Sequence, residues 1–139
     1  MGDYGLVKGY LALVGAVLVV AGLLGFISNP IAGAGANGDG SGVLLATNSI
    51  HNIVHLATGA LALYIAFGLS GAAQLQGLLA FGVVYVVIFL AVLLSPTLFG
   101  LFNPVPANVP IHVLHAALVV TGLGVWYMAR GSTATAYTR

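Results

Sequence analysis

The sequence predicts an all-α membrane protein, an up-and-down four-transmembrane-helix bundle. Three observations carry that prediction. Hydrophobic residues make up 60% of the 139 residues, charged residues only 4%, and mean hydropathy is +1.14. A soluble domain needs about 25% charged residues to face water, so this chain belongs in a lipid bilayer. Four apolar segments are each long enough to cross one, at about 20 residues per span. Punctuation separates them: Asn29-Pro30, Ser70-Gly71, Ser95-Pro96 and Arg130-Gly131.

The spans fall at about residues 6–27, 49–69, 74–94 and 110–129 of a single membrane domain covering residues 1–130. The first is too long for the ~7–15-residue apolar core of a signal peptide, and it ends in "GFISNP" rather than a small-residue cleavage pattern. It therefore reads as a spanning helix. Asn48 and Asn108 stand where N-caps are expected, and Pro110 suits a first helical turn. The short link at residues 71–73 makes the second and third helices antiparallel neighbours.

The connections differ in kind. Residues 31–42, "IAGAGANGDGSG", form a Gly-rich loop that needs no regular structure. In "SPTLFGLFNPVPAN", Leu98, Phe99, Leu101 and Phe102 are too apolar for free solvent and should lie at the interface or fold back over the bundle. Residues 131–139 read as a disordered cytoplasmic tail. Lys8, Arg130 and Arg139 all fall on the side of the two termini, and the long loops contain no Lys or Arg. The positive-inside rule then makes both termini cytoplasmic in the cell membrane.

Composition also excludes functions. A net charge of +1 gives no basic surface for nucleic acid. The absence of Cys excludes disulfides and thiolate metal sites. No acid, base and nucleophile set and no phosphate-binding loop is visible, so the chain does not read as an enzyme.

What stands out is histidine. His51 and His55 open the second span, and His112 and His115 open the fourth. Ionisable groups inside a membrane are functional candidates by default. Residues three or four apart share a helix face. Asn48 and His55 are seven apart, as are Asn108 and His115, which implies a parallel two-helix internal repeat that sets His55 opposite His115.

The pattern "HNIVHLATG", with Asn108, Leu114 and His115 opening the fourth span, resembles the membrane family catalogued as domain of unknown function 4383. The resemblance spans roughly residues 6–129 and implies a four-helix bacterial or archaeal membrane protein with no assigned activity. This chain has Ile111-His112 where the family pattern has an Asp-Asn pair.

Three roles are open to the histidines. They can be hydrogen-bonding posts, with Asn48, Asn52 and Asn108 as partners around the site. They can be ligands: His55 and His115 axial to haem b, or all four around a divalent metal, with His51 and His112 auxiliary. They can also respond to pH, although a full proton relay would need further titratable groups. The leading expectation is a small non-catalytic accessory module whose histidine cluster lies in the outer leaflet. Its Gly and Ala stripes would drive homo-oligomerisation or docking into a larger membrane complex. The haem or metal protein is the alternative.

Overall fold

The computed structural model describes residues 4–134, with side chains through residue 131. Four helices dominate it: α1 (Tyr4–Leu24), α2 (Ser49–Gly68), α3 (Gly71–Leu94) and α4 (Val109–Ala134). At 1.5 Å per residue each is about 30 Å or longer, and all four are long and apolar enough to span a bilayer. The chain is a multi-pass, up-and-down bundle.

Helix boundaries shift for identifiable reasons. α1 stops at Leu24 rather than residue 27 because the Asn29 amide takes the carbonyls of Leu24 and Ile27, both at 2.7 Å. Its oxygen accepts from Ile31 and Ala32. α3 begins at Gly71, whose φ of +56° turns the chain directly out of α2. Buried Gln74 then donates back to the carbonyls of Ile65, Ala66 and Leu69, satisfying the C-terminal groups of α2. α4 continues through Ala134, so residues 131–134 are helical and not part of a disordered tail. Residues 135–139 of the expected tail lie outside the described residues.

α1 packs most extensively on α2, and α3 on α4. The second and third helices touch as expected, but less than these within-pair contacts. Small residues permit the α1–α2 approach. A Cβ on Gly59 would stand 2.9 Å from the Gly15 carbonyl oxygen, and one on Gly22 would stand 2.9 Å from that of Asn52. These glycines of the small-residue stripes therefore pack within the chain.

The Gly-rich loop is more regular than its composition suggests. Ala32–Gly33 (β1) and Leu45–Ala46 (β2) form a two-stranded parallel pair, Ala32 opposite Leu45 and Gly33 opposite Ala46. Asp39 is anchored by Ser41, whose amide donates to its carboxylate at 2.9 Å. The Ser41 hydroxyl and amide together hold that carboxyl below its ordinary value. At Gly40 (φ +85°) a Cβ would run into Ala46 and Val105, so the loops between α1 and α2 and between α3 and α4 meet there.

The interior has two zones. Toward the termini lies an apolar cluster in which Val7, Leu11, Ala66, Leu78, Val125 and Ala129 are buried together. Toward the long loops a smaller apolar cluster of Val92, Phe102, Ala107 and Ile111 adjoins the buried histidines.

Candidate functional site

The site is assembled by two helix starts that copy one another. The Asn48 side chain caps α2 by accepting from the His51 amide at 2.9 Å. Asn108 accepts from the Ile111 amide at 3.4 Å in the same relation. Each asparagine also reaches the opposite half of the molecule. Asn48 donates to the carbonyls of Leu101 and Asn103, and Asn108 donates to that of Leu44 and accepts from the Ala46 amide. The two long loops are thus tied to the helix starts of each other's halves, as a pseudo-twofold repeat requires.

From these caps the first turns of α2 and α4 carry imidazoles inward. His51, His55 and His115 are all buried, and one ring nitrogen from each lies within 4.8 Å of the other two. Ring centroids are 4.5 Å apart for His51–His55 and 5.9 Å for His51–His115. Phe102, from the loop between α3 and α4, closes the cluster by stacking on His51 at 4.3 Å. On the other side Tyr85 of α3 turns its ring edge to His115 at 6.2 Å, and its hydroxyl meets that of Thr58 at 3.0 Å.

The Nδ1 atoms of His51, His55 and His115 are buried without a hydrogen-bond partner. An unpaired buried polar atom costs about 1–3 kcal/mol. Three such atoms fall in this one cluster. His55 and His115 also line an apolar cavity of about 210 Å³ between α1 and α4.

Of the four histidines singled out in the sequence, three converge. His112 does not join them: it is only half-buried, with its own Nδ1 unpartnered. The 60-residue offset of the repeat gives the reason. Asn48 matches Asn108 and His55 matches His115, so His51 matches Ile111 and His112 matches Asn52. Ile111 therefore takes the fully buried position on α4 that His51 takes on α2.

None of the three asparagines expected to support the imidazoles hydrogen-bonds one of their rings. Asn48 and Asn108 bind the caps and loops described above. Asn52 is buried against Gly25, where a Cβ would overlap its side chain, and its Oδ1 has no partner.

Phe102, Thr58 and Tyr85 were not among the site residues expected from sequence. Phe102 had a signal, an apolar residue in a loop that needed cover. The Thr58–Tyr85 link had none, because no local pattern pairs residues 27 apart.

Fold and site together define a small multi-pass membrane protein with a buried three-imidazole cluster at the loop end of its bundle. The family model described as "Domain of unknown function (DUF4383)" matches residues 9–130, and the chain belongs to that family. No curated protein and no solved structure matches it.

Proposed function

We propose that this protein binds a single transition-metal ion in the membrane through His51, His55 and His115. The observation that carries the reading is the convergence of three buried imidazoles whose Nδ1 atoms lack any partner. Imidazole suits zinc, copper, iron and nickel. Metal–nitrogen bonds of about 2.0–2.1 Å separate neighbouring ligand atoms by roughly 3.3–3.6 Å, so a pair at the outer limit of 4.8 Å would close by about 1.2–1.5 Å. Three protein ligands leave a fourth position open, as in catalytic and exchangeable metal sites.

The cluster geometry favours an ion over haem b. A porphyrin held between His55 and His115 needs the space that His51 and the stacked Phe102 occupy. Proton translocation has less support. Beyond Thr58 and Tyr85 the described side chains toward the termini are the apolar cluster around Leu11, Leu78 and Val125 with the Gln74 amide and the Tyr10–Thr121 hydroxyl pair, none of them an imidazole or a carboxylate.

The same reading puts the site in the outer leaflet, with both termini cytoplasmic. In support, Lys8 lies over the Phe67 ring near the end of α2, and Arg130 lies over Trp126 and Tyr127 near the end of α4. Both cations therefore sit at the end of the bundle away from the long loops.

Elemental analysis of the detergent-purified protein, from cells supplied with zinc, copper and iron, tests the assignment. One metal per chain is expected. It should be lost in His51→Ala, His55→Ala and His115→Ala and kept in His112→Ala. Cobalt(II) loaded into the metal-free protein should give the visible absorption of a four-coordinate site. A wild-type protein that carries no metal and takes up neither zinc nor cobalt overturns the reading. A Soret band with stoichiometric iron would replace the ion by haem.

A further inference from the structure

The donor set of the histidine cluster carries no negative charge. His51, His55 and His115 make it up, and among the described residues no carboxylate is grouped with them. The sequence has two side-chain carboxylates, Asp3 and Asp39, and no cysteine. Asp3 precedes α1, outside the described residues. Asp39 is exposed in the loop between α1 and α2, where the Ser41 amide donates to it. Tyr85 supplies no anion either. The Thr58 hydroxyl gives its proton to the Val54 carbonyl at 2.8 Å, so Tyr85 is the donor in the 3.0 Å contact between the two hydroxyls. Met128, the one described thioether, is exposed and about 20 Å along α4 from His115.

The surroundings do not offset a positive charge. Phe102 stacks on His51, Ile111 is fully buried, and the cavity that Ile111 lines with His55 and His115 is otherwise walled by hydrocarbon. Both α2 and α4 begin at this end of the bundle, so the positive ends of two helix dipoles lie on the side of the cluster.

We infer that the bound ion is monovalent copper, Cu(I), held by the three imidazoles alone. The inference rests on the metal reading above and selects among its ions. The cost of taking an ion out of water scales with the square of its charge, so a monovalent ion costs about a quarter as much as a divalent one of the same size. Repulsion by the helix ends is halved as well. A divalent ion here needs hydroxide, chloride or another anion in the fourth position to lower its charge. Cu(I) has a filled d shell and is satisfied by three donors in a plane. Sodium and potassium, the other common monovalent cations, are hard and prefer oxygen, whereas imidazole suits copper.

The test is competition on the metal-free full chain in nanodiscs. Cu(I), Cu(II) and zinc(II) are each presented from a chelator of known affinity, the first under anaerobic conditions. One Cu(I) per chain is expected, bound at least tenfold more tightly than either divalent ion, with the copper K-edge of a three-coordinate Cu(I) ion. Ile111→Asp places a carboxylate at the buried position on α4 that matches His51. It should shift the preference toward zinc at least tenfold relative to Ile111→Asn, a neutral side chain of similar size, which should keep the wild-type order.

Tighter binding of zinc or Cu(II) than of Cu(I) by the wild-type protein overturns the inference and leaves the metal reading standing. So does a four-coordinate copper edge, or a folded Ile111→Asp protein with the same preference as Ile111→Asn. Uptake of none of the three ions overturns both readings. If neither Ile111 variant folds, the wild-type competition and the edge decide alone.

Discussion

Phe102 lies flat on His51, with ring centroids 4.3 Å apart and planes within 2° of parallel. The phenyl ring comes from the loop between α3 and α4, and the imidazole from the first turn of α2. The loop is held in place by a tight turn in which Leu98 and Phe99 both have positive φ and the Phe99 amide donates to the Ser95 hydroxyl at 2.9 Å. Such values are unusual for bulky side chains. Here they accompany a loop whose two phenylalanines part ways, with Phe102 buried and Phe99 exposed.

Replacing this stopper should open the cluster to water. Phe102→Ala is expected to cost about 3–5 kcal/mol of stability, the usual range for a buried Phe. If an ion is held below it, a soluble chelator should remove that ion at least ten times faster than from wild type. Thermal unfolding in detergent and the chelation rate are the measurements. An unchanged chelation rate would mean that the ion exchanges by another route.

Asn48 and Asn108 should behave as counterparts. Each caps a helix and holds a loop of the opposite half, so Asn48→Ala and Asn108→Ala should each lose about 0.5–2 kcal/mol from the cap alone, and somewhat more with the loop bonds. Because the asparagines do not hydrogen-bond the imidazoles, metal content should survive in either variant that still folds. Melting temperature and metal stoichiometry of the two variants check this, and loss of metal from a folded Asn48→Ala protein would contradict it.

The α1–α2 seam is sensitive to single methyl groups. Gly25→Ala would push into Asn52, and Gly59→Ala into the Gly15 carbonyl. Overpacking of this kind typically costs about 1–3 kcal/mol. Gly124→Ala, where nothing stands within 4 Å of the new Cβ, is the control and should melt as wild type. Melting curves of the three variants in one detergent decide the matter.

Orientation can be read from two introduced thiols, since the natural chain has no Cys. Ser41→Cys, in the loop between α1 and α2, should react with a membrane-impermeant maleimide applied to intact cells. Thr133→Cys should react only after permeabilisation. The opposite pattern would put the histidine cluster in the cytoplasmic leaflet.

The acidic limit of loop order follows from Asp39. Its folded-state carboxyl titrates below the ordinary value because Ser41 donates to the charged form. The stabilisation is therefore complete above the ordinary carboxylate value and lost as pH falls through the lower, folded one. Amide exchange at Gly40 and Ser41 should accelerate, relative to its intrinsic rate, only in that acidic range. In Asp39→Asn this pH dependence should disappear.

Much of this molecule was legible from the sequence because hydrophobic length is a local property. Twenty apolar residues must become helix in a bilayer, where an unpaired backbone group has no water to bond. The number of spans, their order and their punctuation followed from that requirement. The caps at Asn48 and Asn108 were readable for the same local reason, and so was the seven-residue step from each to a histidine.

What needed the tertiary structure was every relation across the bundle. The repeat singled out His55 and His115, but spacing could not separate His51 from His112 as the auxiliary residue, since three- and four-residue steps share a helix face. Rotation of α4 about its axis chose among them, burying Ile111 and His115 and leaving His112 half-exposed. The asparagines were available partners in sequence, but the amides of Asn48 and Asn108 reach carbonyls of the two long loops instead. Phe102, 51 residues from His51, and the lateral cavity between α1 and α4 arise from packing between segments far apart in the chain, which no window along the sequence contains.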